Sequence, residues 1–300
     1  MQQCCLPGLA DNVSHMRLVL VSGMSGSGKS VAIRLLEDMG YYCIDNLPSQ
    51  FLSDVCAFLA ANGHPDVAVS VDARSEGPIA DLPGVLSVLR SFGHDVRLLF
   101  LTASTAALVQ RFSESRRRHP LSRELTVHGR EPTLEESIQQ ERDRLAPIDA
   151  LGHVIDTSEL PTSTLRQWVR EFVDGPRSDL TLAFESFAFK NGIPVAADLV
   201  FDVRNLPNPH YDPQLRPLTG LDAPVAEMLS KVPQAQAMID DIAGFIQRWL
   251  PGYTQDARNY LTVAIGCTGG QHRSPYVVEK LARRFGGKER VLVRHRVLDR

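Results

Sequence analysis

No run of about 20 consecutive apolar residues occurs in the sequence, which excludes a transmembrane helix. The N-terminus has neither a basic segment nor the short apolar stretch of a secretory leader, so the expected compartment is the cytoplasm, with no membrane partner. Cysteine is sparse: Cys4, Cys5, Cys43, Cys56 and Cys267 show no paired spacing, which argues against a disulfide framework or a zinc site. There is no internal repeat, and no Asn-Lys-x-Asp signature for reading guanine, so ATP and GTP stay equally open. Excess charge is also missing overall, with a net of −3. Its distribution is uneven: between Gln271 and Arg300 nine Lys/Arg face three Asp/Glu, a surplus of +6 on a body of −9. A basic segment on an acidic body is an electrostatic footprint for polyanions, although a solvated helix face accounts for the charge equally well.

What is present is organised around Gly23-Met24-Ser25-Gly26-Ser27-Gly28-Lys29-Ser30, which follows the apolar run Leu18–Val21 and precedes a helical pattern from Val31. This G-x-x-x-x-G-K-S lies in the strand–loop–helix context that gives it meaning. Glycines permit positive φ and bring bare N–H groups against phosphate oxygens, and the following helix points its positive end at them. Lys29 reaches the β- and γ-phosphates, and the Ser30 hydroxyl is a Mg²⁺ ligand. A nucleoside phosphate, ATP or GTP with Mg²⁺, is the expected ligand.

Three hundred residues suggest about two domains on a prior of about 150 residues each. Strand candidates 17–21, 41–44, 67–71, 96–101 and 153–155 alternate with helical patterns, which predicts an α/β fold whose parallel sheet is covered on both faces. The expected organisation is an extension over 1–15, a P-loop domain over 16–174 and a C-terminal α/β domain over 175–300. The boundary falls at Asp174-Gly175-Pro176.

A P-loop protein keeps an Asp after an apolar strand to hold the metal. Asp72, after Val67–Val71, is ranked just ahead of Asp45, after Tyr41–Ile44, whereas the strand at 97–101 ends in the uncharged Thr102. Arg111, Arg116, Arg117 and Arg118 read either as a lid over phosphates or as a basic helix end. The polar stretch 122–133 reads as a mobile loop, and Thr133 with Glu136 as a capping box.

The C-terminal half repeats the logic. Strand 260–265 leads into Gly266-Cys267-Thr268-Gly269-Gly270-Gln271-His272-Arg273-Ser274 and then a helix from Pro275, a second corner fit for an anion. The C-x5-R-S spacing is also that of cysteine phosphatases, in which a thiolate attacks phosphorus. Phosphate binding without chemistry, phosphatase activity and a merely buried Cys267 all stay open here. The proline-rich loop 206–213 is too long and polar for a simple connector.

The segments GMSGSGKSVAIRLLEDMGYYCIDNLP, RRRHPLS, FESFAFKNGIP, FDVRNLPNPHYDPQLRPLTGLD and LTVAIGCTGGQHRSPYVVEKLA together resemble the RapZ/YvcJ family of bacterial RNase adapter proteins. The resemblance runs from Met16 nearly to the end. It implies a P-loop kinase-like domain with weak ATP and GTP hydrolysis. It also implies a C-terminal domain that binds small regulatory RNA and glucosamine-6-phosphate, presentation of RNA to ribonuclease E, and a homo-oligomer. Carried over by position, Gly23 to Ser30 form the ATP loop, and Asp72, Ala73, Arg74 and Ser75 contact GTP. Lys29, Ser30 and Asp72 serve hydrolysis. His210, Thr268, Gly269, Gly270 and Arg273 line the sugar-phosphate pocket, while RNA binding rests on Arg283, Arg284, Lys288, Arg290, Arg294 and Arg296. Two departures stand out: enteric members carry an acid at Thr102 and a lysine at Gln271. A small-molecule kinase is the competing enzyme reading.

Overall fold

A computed structural model describes residues 15–73, 81–123, 131–149, 151–175, 180–255 and 260–299. Five parallel strands, β1 (Arg17–Gly23), β2 (Tyr42–Ile44), β3 (Asp66–Ser70), β4 (Asp95–Thr102) and β5 (His153–Asp156), pair in the order β2-β3-β1-β4-β5. β1 and β4 are buried along almost their whole lengths, as expected for central strands covered on two faces. One face packs on α2 (Leu52–Ala61), α3 (Leu82–Ser91) and α5 (Leu134–Asp149), through Leu18, Leu20, Val69, Leu98, Leu86, Ile138 and others. The opposite face packs on α1 (Lys29–Asp38) and α6 (Thr162–Asp174), through Val19, Val21, Leu99, Leu35 and Trp168. Helix α4 (Thr105–Ser115) follows β4 and starts with Ser104, whose hydroxyl accepts from the Ala107 amide.

The second sheet is also parallel. Strands β6 (Thr181–Ala188), β7 (Leu199–Asp202), β8 (Tyr260–Cys267) and β9 (Arg290–His295) pair as β7-β8-β6-β9. Helices α7 (Ala223–Ser230), α8 (Pro233–Gln255) and α9 (Arg273–Phe285) contribute Val225, Ile242, Val277 and Leu281 to its core. Strand β9 falls within the basic tail, a segment read from sequence for its charge alone.

Helix α6 joins the two sheets. Its Trp168 lies under the Arg294 guanidinium at 4.5 Å, and Phe172 meets Tyr260 at 5.6 Å. Arg97 donates to the carbonyls of Phe172 and Val173 at 3.0 and 2.9 Å, and Arg290 donates to that of Phe172 at 2.9 Å. Two cations thus satisfy the orphan carbonyls at the negative end of the helix. Nearby, Arg296 pairs with Asp156 of β5 and Glu185 of β6 at 3.3 and 3.0 Å, all three side chains being 10% exposed or less.

Candidate functional site

The glycine-rich corner leaves β1, the middle strand of its sheet, and enters α1. Gly23 has φ +135°, and a Cβ there would stand 2.0 Å from the Leu101 carbonyl oxygen, so only glycine lets β1 lie this close to β4. Gly26 and Gly28 also have positive φ. Met24 is fully buried and its amide donates to Leu101 O at 2.9 Å, fixing the loop to the sheet. Among the described residues the amides of Gly26, Gly28 and Ser30 have no protein acceptor, and the buried Ser27 hydroxyl has no partner. The Lys29 ammonium donates to Gly23 O at 2.5 Å, curled back over its own loop. A polar loop with bare amides and a cation at a helix N-terminus is built to hold an anion.

That loop opens on a cavity of about 580 Å³ whose walls include Ser25, Gly26, Gly28, Lys29, Ser30, Asp72, Arg117 and Arg118. Asp72 therefore stands on the same cavity as Ser30. Asn46, with its amide nitrogen turned toward Asp72, donates to both carboxylate oxygens at 3.0 and 3.1 Å. Asp45 does not line the cavity; its carboxylate accepts from the Ser70 hydroxyl. Ala73 is buried behind Asp72, while Arg74 and Ser75, like most of the polar loop 122–133, lie outside the described residues. No cluster of three His, Cys, Asp or Glu exists among the described residues. A hydroxyl and one carboxylate beside a phosphate loop are the donor set that suits Mg²⁺ bound chiefly through phosphates.

The arginines divide. Arg111 spends its guanidinium on the carbonyls of Gly26 (3.1 Å), Thr157 and Ser158 and on the Thr157 hydroxyl, and burial holds its pKa below the ordinary value. It braces the P-loop. Arg111, Arg117 and Arg118 line the cavity and Arg116 does not. At the end of β4, Thr102 accepts from Arg142 at 3.2 Å, so a hydroxyl–guanidinium contact occupies that strand end.

In the second sheet, Gly270 has φ +68° and a Cβ there would meet Val297 and Ala188, so the turn closes tightly on β6. The amides of Gly269 and Gly270 have no acceptor among the described residues. Arg273, 5% exposed, donates to Arg204 O (2.6 Å), Leu206 O (3.1 Å) and the Thr268 hydroxyl (3.3 Å), leaving its buried Nε without a partner. It clasps the loop 204–211 to the glycine turn. A cavity of about 590 Å³ lies there, lined by Arg204, Asn208, Tyr211, Thr268 and Arg273 among others. Of the five residues expected at this pocket, Thr268 and Arg273 line it, whereas His210, Gly269 and Gly270 do not. Arg204 was not foreseen, whereas Asn208 and Tyr211 belong to the proline-rich loop 206–213 that the sequence singles out. The Cys267 thiol is buried in the apolar core and accepts from Ser274 at 3.2 Å, an arrangement that does not present it to the cavity.

The expected basic face needs correction. Arg294 is 2% exposed, Arg290 is spent on α6 and Arg296 on Asp156 and Glu185. These three hold the sheets together. Only Arg283, Arg284 and Lys288 remain on the surface, and two of them have acidic partners: Arg283 faces Glu279, and Arg284 pairs with Asp240.

A glycine-rich loop between the middle strand and first helix of a β2-β3-β1-β4-β5 parallel sheet defines a P-loop protein of kinase-like fold. The chain belongs to the RapZ family: residues 16–177 match the RapZ-like N-terminal domain and residues 180–299 the RapZ C-terminal domain. It is similar to a nucleotide-binding protein of Bordetella petrii, 58% identical over 281 residues (94% of this chain, 97% of the relative). A nucleotide-binding protein of Burkholderia cenocepacia is 55% identical over 284 residues, 94% of each chain. Among solved structures, shikimate kinase from Bacteroides thetaiotaomicron aligns over 53% of this chain and 99% of its own, at 15% identity and a TM-score of 0.36. No helix among the described residues is long and apolar enough to cross a membrane.

Proposed function

We propose that this protein is a nucleotide-binding regulatory adapter. Its P-loop holds ATP or GTP with Mg²⁺ and hydrolyses it slowly. The observation that carries the reading is the P-loop itself, with bare amides at Gly26, Gly28 and Ser30 beside Lys29 and Asp72 on one cavity. Ser30 and Asp72 would hold the magnesium, which neutralises phosphate charge. Calorimetry with Mg·ATP and Mg·GTP tests this directly. Lys29→Ala is expected to weaken binding at least tenfold, and equal affinity in wild type and variant would remove the assignment. Appearance of a phosphorylated small molecule in place of free phosphate would favour the kinase reading. Asp45, turned to Ser70, offers that reading little support.

The C-terminal cavity takes a sugar phosphate, glucosamine-6-phosphate on the family resemblance, with Thr268 and Arg273, which line it, toward the phosphate. Its test is calorimetry of the full chain with that compound and with inorganic phosphate, repeated on Thr268→Val. RNA, delivered to ribonuclease E, would meet Arg283, Arg284 and Lys288. So few cations imply an affinity that drops with salt along a shallow slope, measurable by gel shift between 50 and 200 mM salt.

A further inference from the structure

Glu141 is a charged residue on the apolar face of α5, beside Ile138, Leu145 and Ile148. It is 1% exposed and does not line the P-loop cavity. A carboxylate in such a place is costly unless all its oxygens are partnered. They are partnered by two separate segments. From the P-loop, the Ser25 amide donates to Oε2 at 2.9 Å and the Ser25 hydroxyl to Oε1 at 2.7 Å. From the segment after α4, His119 Nε2 lies 3.1 Å from Oε2. The His119 ring is 3% exposed, tilted against Phe112, and its Nδ1 accepts from the Leu121 amide at 3.3 Å. That bond puts the ring proton on Nε2, facing Glu141. His119 directly follows Arg117 and Arg118, which line the cavity.

We propose that Glu141 and His119 are positioning residues that lock the P-loop and the arginine turn into one unit, so that Arg117 and Arg118 are presented to the anion held by the loop. The inference rests on the nucleotide reading above. The carboxylate also occupies the Ser25 amide, so the amides left for phosphate begin at Gly26. Neither side chain lines the cavity. Each acts through what it holds: Glu141 through Ser25, and His119 through the turn it ends.

The test compares Glu141→Gln and His119→Asn with wild type, by Mg·ATP calorimetry and by trypsin cleavage after Arg116, Arg117 and Arg118. His119→Asn keeps an acceptor for Leu121 and removes only the Nε2 donor, leaving Glu141 on Ser25. The expected result is at least tenfold weaker ATP binding and several-fold faster cleavage at the arginine turn. His119→Gln, which returns an amide N–H toward Glu141, should restore much of both. The double variant Arg117→Ala/Arg118→Ala should weaken ATP binding in wild type but have no further effect with His119→Asn, the signature of coupled sites. A full additional loss in that background would overturn the proposal, because a purely structural role leaves the arginines in place. Wild-type affinity in His119→Asn would overturn it too. Should wild type bind no nucleotide, the nucleotide reading fails; unchanged trypsin cleavage in the variants would then separately refute the lock.

Discussion

A methyl group on Gly23 would enter the space of the Leu101 carbonyl, and no side-chain rearrangement can relieve a clash with backbone. Gly23→Ala is therefore expected to destabilise the protein by roughly 3 kcal/mol, the upper range for overpacking, seen as a lower urea midpoint. The same substitution at Gly63, where nothing stands near, should cost only the strain of its positive φ. The P-loop residues were legible because each serves local chemistry within eight positions. Glu141 was not. In sequence it belongs to a polar helix, Glu-Arg-Asp-Arg at 141–144, and its partners Ser25 and His119 lie 116 and 22 residues away. The one visible hint was the His119-Pro120 that ends the arginine triplet, which fixes where that turn stops.

At the scale of elements, the strands of the first sheet could be read because central parallel strands are continuous apolar runs, such as Leu98–Leu101. Helix α5 announced its start through Thr133 and Glu136. The Thr133 amide donates to the Glu136 carboxylate at 2.8 Å, and the Glu136 amide to the Thr133 hydroxyl at 3.2 Å. Losing that hydroxyl in Thr133→Ala should cost about 1 kcal/mol, again read from the urea midpoint. Strand β9 was missed because Arg-Val-Leu-Val-Arg-His shows charge first and alternation second. Its arginines pack against α6, more than 100 residues earlier in the chain, and no local pattern signals that. Charge counted along a sequence reports what must be neutralised, and here part of it is neutralised within the fold.

Two sheets held on one helix make the whole molecule depend on a few buried polar contacts. Removing Arg296 would leave Asp156 and Glu185 facing each other in a protein interior. Arg296→Gln should then cost about 3–5 kcal/mol, as for breaking a buried ion pair. Because Asp156 precedes Thr157, whose hydroxyl donates to the P-loop carbonyl of Ser27 at 3.0 Å, the loss should also weaken nucleotide binding, measured by calorimetry.

His153 makes the same interface sensitive to pH. Its ring is fully buried between Phe172 and Tyr260, and neither nitrogen has a hydrogen-bond partner among the described residues. Burial, reinforced by the positive charges of Arg294 and Arg290, holds its pKa well below the ordinary value of 6.5. In the native protein the ring stays neutral, while in the unfolded chain it takes up a proton near pH 6.5. The unfolded state therefore binds more protons below that pH, and stability must fall as the medium is acidified, by up to about 1.4 kcal/mol per pH unit for this one group. The loss begins near pH 6.5 and continues until the native ring itself titrates. His94 and His272, also depressed chiefly by burial, add to it in the same direction. His153→Phe, which keeps the stacked ring and removes the proton site, should flatten the profile of unfolding free energy between pH 7 and pH 5 by about one proton's slope and leave the contribution of the other histidines. A variant whose profile parallels wild type across that range would mean that His153 is protonated in the native fold, and the apolar stacking would then not be what joins the two sheets at this point.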